Sequence, residues 1–275
     1  MNRDRLTITL KKDFIKKIDE MVDGLNIRNR SHAIEYLLSQ IISPQISQAV
    51  ILAGGRGVKM QPLTLETPKS LFPIKGKPIL EHSLRLLREN GIKDITIVVG
   101  FKGERIREYF GDGSRFSVRI TYVDEGPPAG TGGALALAKH LITNGSFIVL
   151  YADVLIDINL DSFIKFHQEQ GKIGTIALTT SPEASAYGQV LLNGPEITEF
   201  VEKPKKTQQT SQLINAGLFI FKPEILDYFP KKRHFRLEDL FPKLAKAGKL
   251  AGYTFDGKWF DIGTPKTYEK AIKEW

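Results

Sequence analysis

The sequence predicts a doubly wound α/β domain with a mostly parallel sheet, preceded by a small β-α-α module. From Ala49 onward, short apolar runs alternate with amphipathic segments, as strands alternate with helices in a mostly parallel sheet. Residues 1–43 differ, because one alternating segment is followed by two apolar-faced ones. A length of 275 residues allows one large and one small domain. We therefore expect a module over 1–43, a linker over 44–48 and a domain over 49–275.

Composition narrows the classes of function. The chain has no cysteine, which excludes disulfides and thiolate metal sites, and its five histidines show no zinc-type spacing. There is no apolar run of about 18 residues and no signal-peptide core at the N-terminus, so we expect a cytoplasmic protein without a membrane partner. The net charge of +8 favours phosphate-rich partners, although surplus surface lysine would give the same charge.

The N-terminal module is predicted from its apolar spacing. Residues 5–10 alternate polar and apolar side chains, which predicts a half-buried strand. A first helix ending at Gly24 and a second helix capped by Ser31 follow. The apolar residues at helical spacing are Phe14, Ile15, Ile18, Met21 and Val22 in the first helix, and Ala33, Ile34, Leu37, Leu38 and Ile41 in the second.

Residues 3–42 resemble the ribbon-helix-helix family, whose dimers insert a two-stranded ribbon into the DNA major groove. The resemblance implies a homodimer formed through strand pairing, which would also satisfy an otherwise unpaired strand. It implies that Arg5, Thr7 and Thr9 face the DNA groove, while the alternate apolar residues face the dimer core. A module that only dimerises the chain is the alternative interpretation.

The large domain is predicted as a series of strand, loop and helix units. Predicted strands cover residues 49–53, 95–99, 118–123, 147–151 and 173–179. Predicted helices cover residues 78–89, 104–110, 130–141, 160–169 and 265–274. Ligands of such sheets bind beyond the carboxyl ends of the strands. A glycine-rich loop and Asp153 both fall at such ends, which makes them candidates for a binding site.

The glycine-rich loop follows the first strand of the domain as Gly54-Gly55-Arg56-Gly57. Glycines at this place allow backbone N–H groups to approach phosphate oxygens. Arg56, Lys59 and Lys69 add positive charge along the same stretch. The loop is not a P-loop, because no Gly-Lys-Ser/Thr follows, and it is not a dinucleotide fingerprint, because about 20 non-helical residues come next.

Residues 49–80 resemble the signature of the sugar-phosphate nucleotidylyltransferases, and the resemblance extends over 48–275. The segments that carry it run from Leu52 to Thr64 and from Pro68 to Leu71, with Lys77-Pro78 beyond them. The resemblance implies a Rossmann-like nucleotidyltransferase fold and magnesium-dependent joining of a nucleoside triphosphate to a sugar 1-phosphate. Later motifs agree with it: Gly130-Thr131-Gly132, Ala152-Asp153, Glu202-Lys203-Pro204 and the segment 259–264.

The resemblance also implies roles for particular residues. It implies catalytic Lys59, Lys69 and Asp153, with Asp153 and Asp261 as Mg²⁺ ligands. The implied nucleotide-binding residues are Leu52, Ala53, Gly54, Gly55, Arg56, Gly57, Gly130, Thr131 and Gly132. The implied sugar-phosphate residues are Tyr187, Gly188, Glu202, Lys203, Asn215 and Gly217. Each motif also has a structural interpretation, such as a loop cap at Asp153 or a solvated turn at Lys203, but several such motifs in the family's order favour the enzyme.

The chemistry requires these residue types. A sugar 1-phosphate oxygen attacks the α-phosphorus in line and expels pyrophosphate, so positioning and charge neutralisation dominate. Mg²⁺ prefers carboxylate and phosphate oxygens. The attacking oxygen is already ionised, so no general base or covalent intermediate is required. A glycosyltransferase of similar fold is disfavoured, because Asp153 is followed by Val154 and Leu155 instead of completing an Asp-x-Asp motif.

The loop departs from the family pattern at Val58-Lys59, where Thr-Arg is usual. Lys59 keeps the positive charge but lacks the forked donors of arginine. The alternative function is therefore a sugar-nucleotide-sensing DNA-binding regulator with a weak or inactive transferase domain. The run beginning at Gly130 is more similar to mannose- and heptose-1-phosphate guanylyltransferases than to thymidylyltransferases. We expect GTP as the nucleotide, with UTP, dTTP and CTP as alternatives.

Overall fold

The structure is a computed structural model that describes residues 7–24, 27–42, 46–143, 145–205 and 211–275. The chain divides into two compact units, Met1–Gln45 and Ile46–Trp275. Among the described residues, no helix has the length and apolar character that a bilayer crossing requires.

The described residues of the N-terminal unit form two helices, α1 (Lys12–Glu20) and α2 (Arg30–Ile42). They are joined by an ion pair in which Arg30 Nη2 donates to Asp19 Oδ2 over 2.7 Å. The prediction that Ser31 caps the second helix is wrong. Asn29 occupies the cap and its Oδ1 accepts the backbone N–H of His32 over 2.9 Å, because the helix begins one residue before Ser31.

The predicted strand over residues 5–10 lies partly outside the described residues, which begin at Thr7. In the single chain, residues 7–10 form no regular secondary structure and their side chains are exposed. The expected partner of this segment is the same segment of a second copy, since a strand is stabilised only by pairing. Ribbon formation therefore remains a prediction.

The C-terminal unit alternates strands and helices. Its helices are α3 (Ile79–Glu89), α4 (Gly103–Phe110), α5 (Gly130–Leu137), α6 (Leu160–Gln170), α7 (Phe241–Lys246) and α8 (Pro265–Glu274). Its first strands are β1 (Gln48–Ala53), β2 (Pro73–Ile74), β3 (Lys77–Pro78), β4 (Asp94–Val99), β5 (Arg119–Asp124), β6 (Phe147–Tyr151) and β7 (Val154–Ile156). The later strands are β8 (Gly174–Thr180), β9 (Gly188–Asn193), β10 (Glu196–Glu202), β11 (Leu213–Phe221), β12 (Leu250–Thr254) and β13 (Trp259–Asp261).

In the described residues, nine of these strands form one sheet in the order β5-β4-β1-β6-β11-β8-β12-β10-β9. The first four are mutually parallel, as expected for strands joined by crossover helices. β11 is antiparallel to both of its neighbours β6 and β8, and β10 is antiparallel to β12 and β9. The doubly wound α/β class is confirmed, with the parallel order confined to the β5–β6 half and to the pair β8–β12.

Helices cover both faces of the sheet, and alternate strand residues point to opposite faces. In β6, Ile148 and Leu150 join the core beneath α3, α4 and α6, whereas Phe147 and Val149 join the core beneath α5 and α7. Element boundaries differ little from those predicted. In the C-terminal unit the largest difference is at α5, which ends at Leu137 and is followed by a separate 3₁₀ turn over Lys139–Leu141. In the N-terminal unit the prediction that the first helix ends at Gly24 is wrong, because α1 ends at Glu20.

Candidate active site

Two cavities open at the carboxyl ends of β1 and β6. The first cavity has a volume of about 410 Å³, and the second has a volume of about 280 Å³. Both are lined by Tyr151, the last residue of β6, and by Asp153, which lies in the two-residue turn that follows. Two compartments that meet at a carboxylate can hold two reactants side by side.

Gly54 lets the chain turn sharply into the first cavity. A β-carbon at this position would lie 1.8 Å from Oε2 of Glu125, so no side chain fits. Glu125 is itself buried, and its Oε1 accepts the backbone N–H of Ala129 over 2.7 Å. Gly57 has a φ of 61°, and a β-carbon there would lie 2.8 Å from Cγ of Lys69. The loop therefore depends on glycine for both close approach and left-handed backbone.

An acidic pair lies where the two cavities meet. The short strands β7 and β13 pair antiparallel and place Asp261 opposite Val154. The backbone N–H of Ile262 donates to the carbonyl of Asp153 over 2.9 Å, which fixes the two segments side by side. Nζ of Lys69 donates to Oδ2 of Asp153. Asp153, Asp261 and Lys69, which are far apart in the sequence, thus lie together where the two cavities meet.

The charges of Lys69, Asp153 and Asp261 affect one another's pKa values. Burial, and then the charge of Asp153, raise the pKa of Asp261 to about 6, while Lys69, Lys203 and Lys59 oppose the increase. Burial alone would lower the pKa of Lys69, but the two carboxylates outweigh it and the pKa is raised. Because Asp153 and Asp261 repel each other, a cation that binds between them would be stabilised.

The donor set fits Mg²⁺. This ion is usually held by one or two carboxylates together with water and substrate phosphates, without a cage made only of protein ligands. Asp153 and Asp261 supply two carboxylates, and no group of three or more His, Cys, Asp or Glu side chains with metal-site spacing occurs in the described part of the chain.

The second cavity is walled by an aromatic pair and a glycine turn. The rings of Tyr187 and Trp259 meet edge to face with centroids 5.2 Å apart. Nε1 of Trp259 donates to the carbonyl of Ala216 over 2.9 Å. The backbone N–H of Gly217, at a φ of 77°, donates to Oδ1 of Asn215 over 2.9 Å. These bonds fix the wall before any ligand binds.

Glu202 and Lys203 approach the second cavity from the end of β10. Lys203 has a φ of 44°, an uncommon conformation for a non-glycine residue, and its N–H donates to the carbonyl of Tyr187 over 3.1 Å. Nη1 of Arg236 lies 3.4 Å from Oε1 of Glu202. Burial, and then the charge of Glu238, raise the pKa of Glu202, against the effect of the neighbouring cations.

The start of α5 lies beside the first cavity. The backbone N–H groups of Gly132 and Gly133 both donate to the carbonyl of Phe235 over 3.1 Å, so these donors are already occupied. A β-carbon at Gly132 would lie 2.3 Å from the ring of Phe235. Gly132 therefore allows the Phe235 ring to pack closely against the start of α5.

Nearly all residues implied by the sequence motifs come together around the two cavities. Those lining the first cavity are Leu52, Ala53, Gly54, Gly55, Arg56, Lys69, Gly130, Thr131 and Asp153. Those lining the second cavity are Lys59, Asp153, Tyr187, Gly188, Glu202, Lys203, Asn215, Gly217 and Asp261. Gly57 and Gly132 line neither cavity. Of the implied DNA-binding residues, Thr7 and Thr9 are exposed and Arg5 lies outside the described residues.

Among the polar residues of the site that were not predicted are Glu125 and Glu238, which are buried, and Tyr151, which is partly buried. Glu125 lines the first cavity, Glu238 lines the second and Tyr151 lines both. Tyr151 ends an apolar strand at its carboxyl end, which is a usable signal for a ligand-facing residue. Glu125 and Glu238 stand outside the motifs, and the sequence has no pattern that distinguishes them from solvated carboxylates.

Known proteins are similar to this chain in sequence and in fold. A family model described as nucleotidyl transferase matches residues 48–275. UTP–glucose-1-phosphate uridylyltransferase of Synechocystis sp. is 38% identical over 243 residues, which cover 82% of this chain and 62% of that protein. Mannose-1-phosphate guanylyltransferase catalytic subunit beta of Danio rerio is 38% identical over 226 residues, which cover 80% of this chain and 62% of that protein.

A solved structure supports the same fold. UDP-glucose pyrophosphorylase complexed with UDP-glucose superimposes with a TM-score of 0.73 at 26% identity, covering 83% of this chain and 98% of that chain. The fold is thus the Rossmann-like α/β fold of nucleotidyltransferases. The chain belongs to the nucleotidyl transferase family. It spans 62% of the length of the two curated relatives described above.

Proposed function

We propose that this chain transfers a nucleotidyl group from a nucleoside triphosphate to a sugar 1-phosphate, giving a nucleotide sugar and pyrophosphate. One observation carries the proposal, which is that the two cavities meet at Asp153. At this place Lys69 supplies a positive charge and Asp261 supplies a second carboxylate, as phosphoryl transfer requires. The names of the two curated relatives support the same reaction class. Because both substrates are made inside cells, we also propose a cytoplasmic location.

The first cavity is assigned to the nucleotide and the second to the sugar phosphate. The glycine loop and Arg56 line the first, where backbone donors and a guanidinium suit a triphosphate. Lys59 and Lys203 line the second, where they suit the phosphate of a sugar 1-phosphate. Lys59 and Arg56 therefore line different cavities.

The reaction needs one oxygen to approach one phosphorus. An oxygen of the sugar 1-phosphate forms a bond to the α-phosphorus, and the bond from that phosphorus to the bridging oxygen of pyrophosphate breaks. Lys69, held by Asp153 at the junction, offsets the negative charge of both reactants. Asp153 and Asp261 would hold Mg²⁺, which when bound neutralises charge on phosphate oxygens.

The nucleotide base and the sugar form the finer part of the proposal. We infer GTP with a mannose- or heptose-type 1-phosphate from the motif that begins at Gly130. The guanylyltransferase relative supports GTP, whereas the uridylyltransferase relative supports UTP with glucose 1-phosphate. A panel of substrates distinguishes the two.

The test is pyrophosphate release with Mg²⁺, using GTP, UTP, dTTP and CTP against hexose and heptose 1-phosphates. We expect turnover with at least one pair and a loss of about a hundredfold or more in Asp153→Asn, since this change removes a charge that neighbours the reacting phosphorus. Asp227→Asn is the matched control, because Asp227 is exposed and lines neither cavity. No turnover with any pair, or equal rates in both variants, contradicts the proposal.

A second candidate is a sugar-nucleotide-sensing DNA-binding regulator. It is favoured by the separate N-terminal unit and by Val58, which is 62% exposed and offers the loop no hydroxyl donor. DNA binding by the N-terminal unit, with Arg5, Thr7 and Thr9 towards the groove, is part of this candidate. Fluorescence anisotropy of labelled DNA fragments, with and without nucleotide sugars, tests it, and turnover in the panel rules out a protein that only senses.

A further inference from the structure

Glu238 is a buried carboxylate that joins the walls of the two cavities. It is only 8% exposed, and it precedes α7 in a 3₁₀ turn over Leu237–Asp239. Its Oε2 accepts the hydroxyl of Thr131 over 2.8 Å, and its Oε1 accepts the hydroxyl of Tyr151 over 2.6 Å. Each carboxylate oxygen therefore holds a different part of the site.

The two hydroxyl donors belong to different walls. Thr131 lines the first cavity, and its Oγ1 also accepts the backbone N–H of Leu237 over 2.9 Å. Tyr151 lines both cavities, and Glu238 itself lines the second. A displacement of one wall therefore acts on the other through two short hydrogen bonds.

The Tyr151 ring is partly buried and packs against the core on both faces of the sheet. A β-carbon at Gly217 would lie 3.0 Å from Cδ2 of Tyr151, and the ring of Phe219 lies 5.4 Å away, centroid to centroid. Burial, and then the charge of Glu238, raise the pKa of Tyr151, so its hydroxyl stays protonated and remains a donor. Close-packed groups of this kind transmit shifts instead of dissipating them.

We propose that Glu238 is a positioning residue that couples the two cavities, so that binding of the triphosphate in the first increases affinity for the sugar phosphate in the second. The proposal rests on the proposed function, because it assigns those ligands to those cavities. Glu238 holds Thr131 and Tyr151 in the arrangement that suits both ligands. The ligand that binds first orders this arrangement, and the second then binds to a prepared wall.

The test measures this coupling by calorimetry, without turnover. The dissociation constant of mannose 1-phosphate, or of the sugar phosphate that the panel selects, is measured in Mg²⁺ with and without a triphosphate analogue. The analogue carries a methylene group between the α- and β-phosphorus atoms, so the bond that the reaction breaks is replaced. We expect its presence to increase sugar-phosphate affinity about tenfold in the unmodified chain.

Tyr151→Phe and Thr131→Val each remove one hydroxyl that Glu238 binds. Because either loss interrupts the same connection, we expect each variant alone to reduce the coupling to less than about twofold, and the double variant to reduce it no further. Tyr122→Phe is the matched control, since its hydroxyl bond to the Gly111 carbonyl lies outside both cavities. A thermal melt verifies that every variant is folded at the measuring temperature.

A residue with only a structural role would change stability or both affinities and leave their coupling intact. The inference is overturned if the unmodified chain shows no coupling, or if either single variant keeps the tenfold effect. It is also overturned if the two losses multiply instead of saturating. Absence of turnover in the substrate panel contradicts the proposed function, whereas turnover with coupling that survives in the variants contradicts this inference alone.

Discussion

The space around each glycine of the loop determines whether a side chain can replace its hydrogen. A β-carbon at Gly54 would collide with the Glu125 carboxylate at 1.8 Å, whereas a β-carbon at Gly55 would meet no atom within 4 Å. We expect Gly54→Ala to reduce the free energy of unfolding by about 1–3 kcal/mol through overpacking. Gly55→Ala is the control, with a change of less than about 1 kcal/mol. Denaturant unfolding measures both, and equal effects would show that the Glu125 side chain moves away freely.

Sequence motifs identified most of the residues around the two cavities, because the reaction needs particular groups at particular strand ends. Asp153 and Asp261 were both expected, and the pairing of β7 with β13 brings them together. The buried carboxylates Glu125 and Glu238 could not be predicted. Whether a carboxylate is buried depends on donors from remote segments, such as Tyr151 for Glu238, and local patterns carry no information about them.

The packing of α6 against β8 includes a buried histidine. His167 is 1% exposed, and its ring nitrogens bond the hydroxyls of Ser146, over 3.0 Å, and Thr175, over 2.7 Å. Burial, and then the charge of Lys222, lower the pKa of His167 from 6.5 to about 4. The folded chain therefore holds the neutral ring, whose stabilising contribution is complete above pH 6.5 and is lost as the pH falls towards 4.

We expect this histidine to reduce the free energy of unfolding by about 2 kcal/mol between pH 7 and pH 5. His167→Gln keeps a polar side chain there but has no ionisation in this range. Its unfolding free energy, measured by urea titration at both values, is expected to fall by a smaller amount. A fall as large as in the unmodified chain would mean that other groups cause the pH dependence.

Elements were easier to predict than their arrangement. Apolar runs located β1, β4, β6 and β8 to within about one residue, because burial on both faces requires such runs. The same runs do not encode direction, so the antiparallel insertion of β11 between β6 and β8 was not predicted. The N-cap of α2 at Asn29 was not predicted, because Asn29 and Ser31 are both residue types that favour the N-cap position.

For the whole molecule, we propose a homodimer formed by the N-terminal unit. This unit exposes five large apolar side chains in its described part: Ile8, Leu10, Phe14, Leu37 and Leu38. We expect Phe14→Glu to convert the dimer to a monomer in light scattering, because it would place a charge in an apolar interface. Ile272→Glu is the control at a similarly exposed position on α8 and is expected to keep the dimer. A monomeric unmodified chain would refute the assembly.

The strand order of the sheet has a consequence for synthesis on the ribosome. The fifth and central strand, β11, lies between β6 and β8 but follows both in the chain. Until residues 213–221 have left the exit tunnel, the edge of β6 and the edge of β8 lack the neighbour that later separates them. An emerging chain therefore exposes three unpaired strand edges during this interval, one of β6 and both of β8, because β12 is made later than β11. We expect chaperones that bind nascent chains to act mainly in this interval.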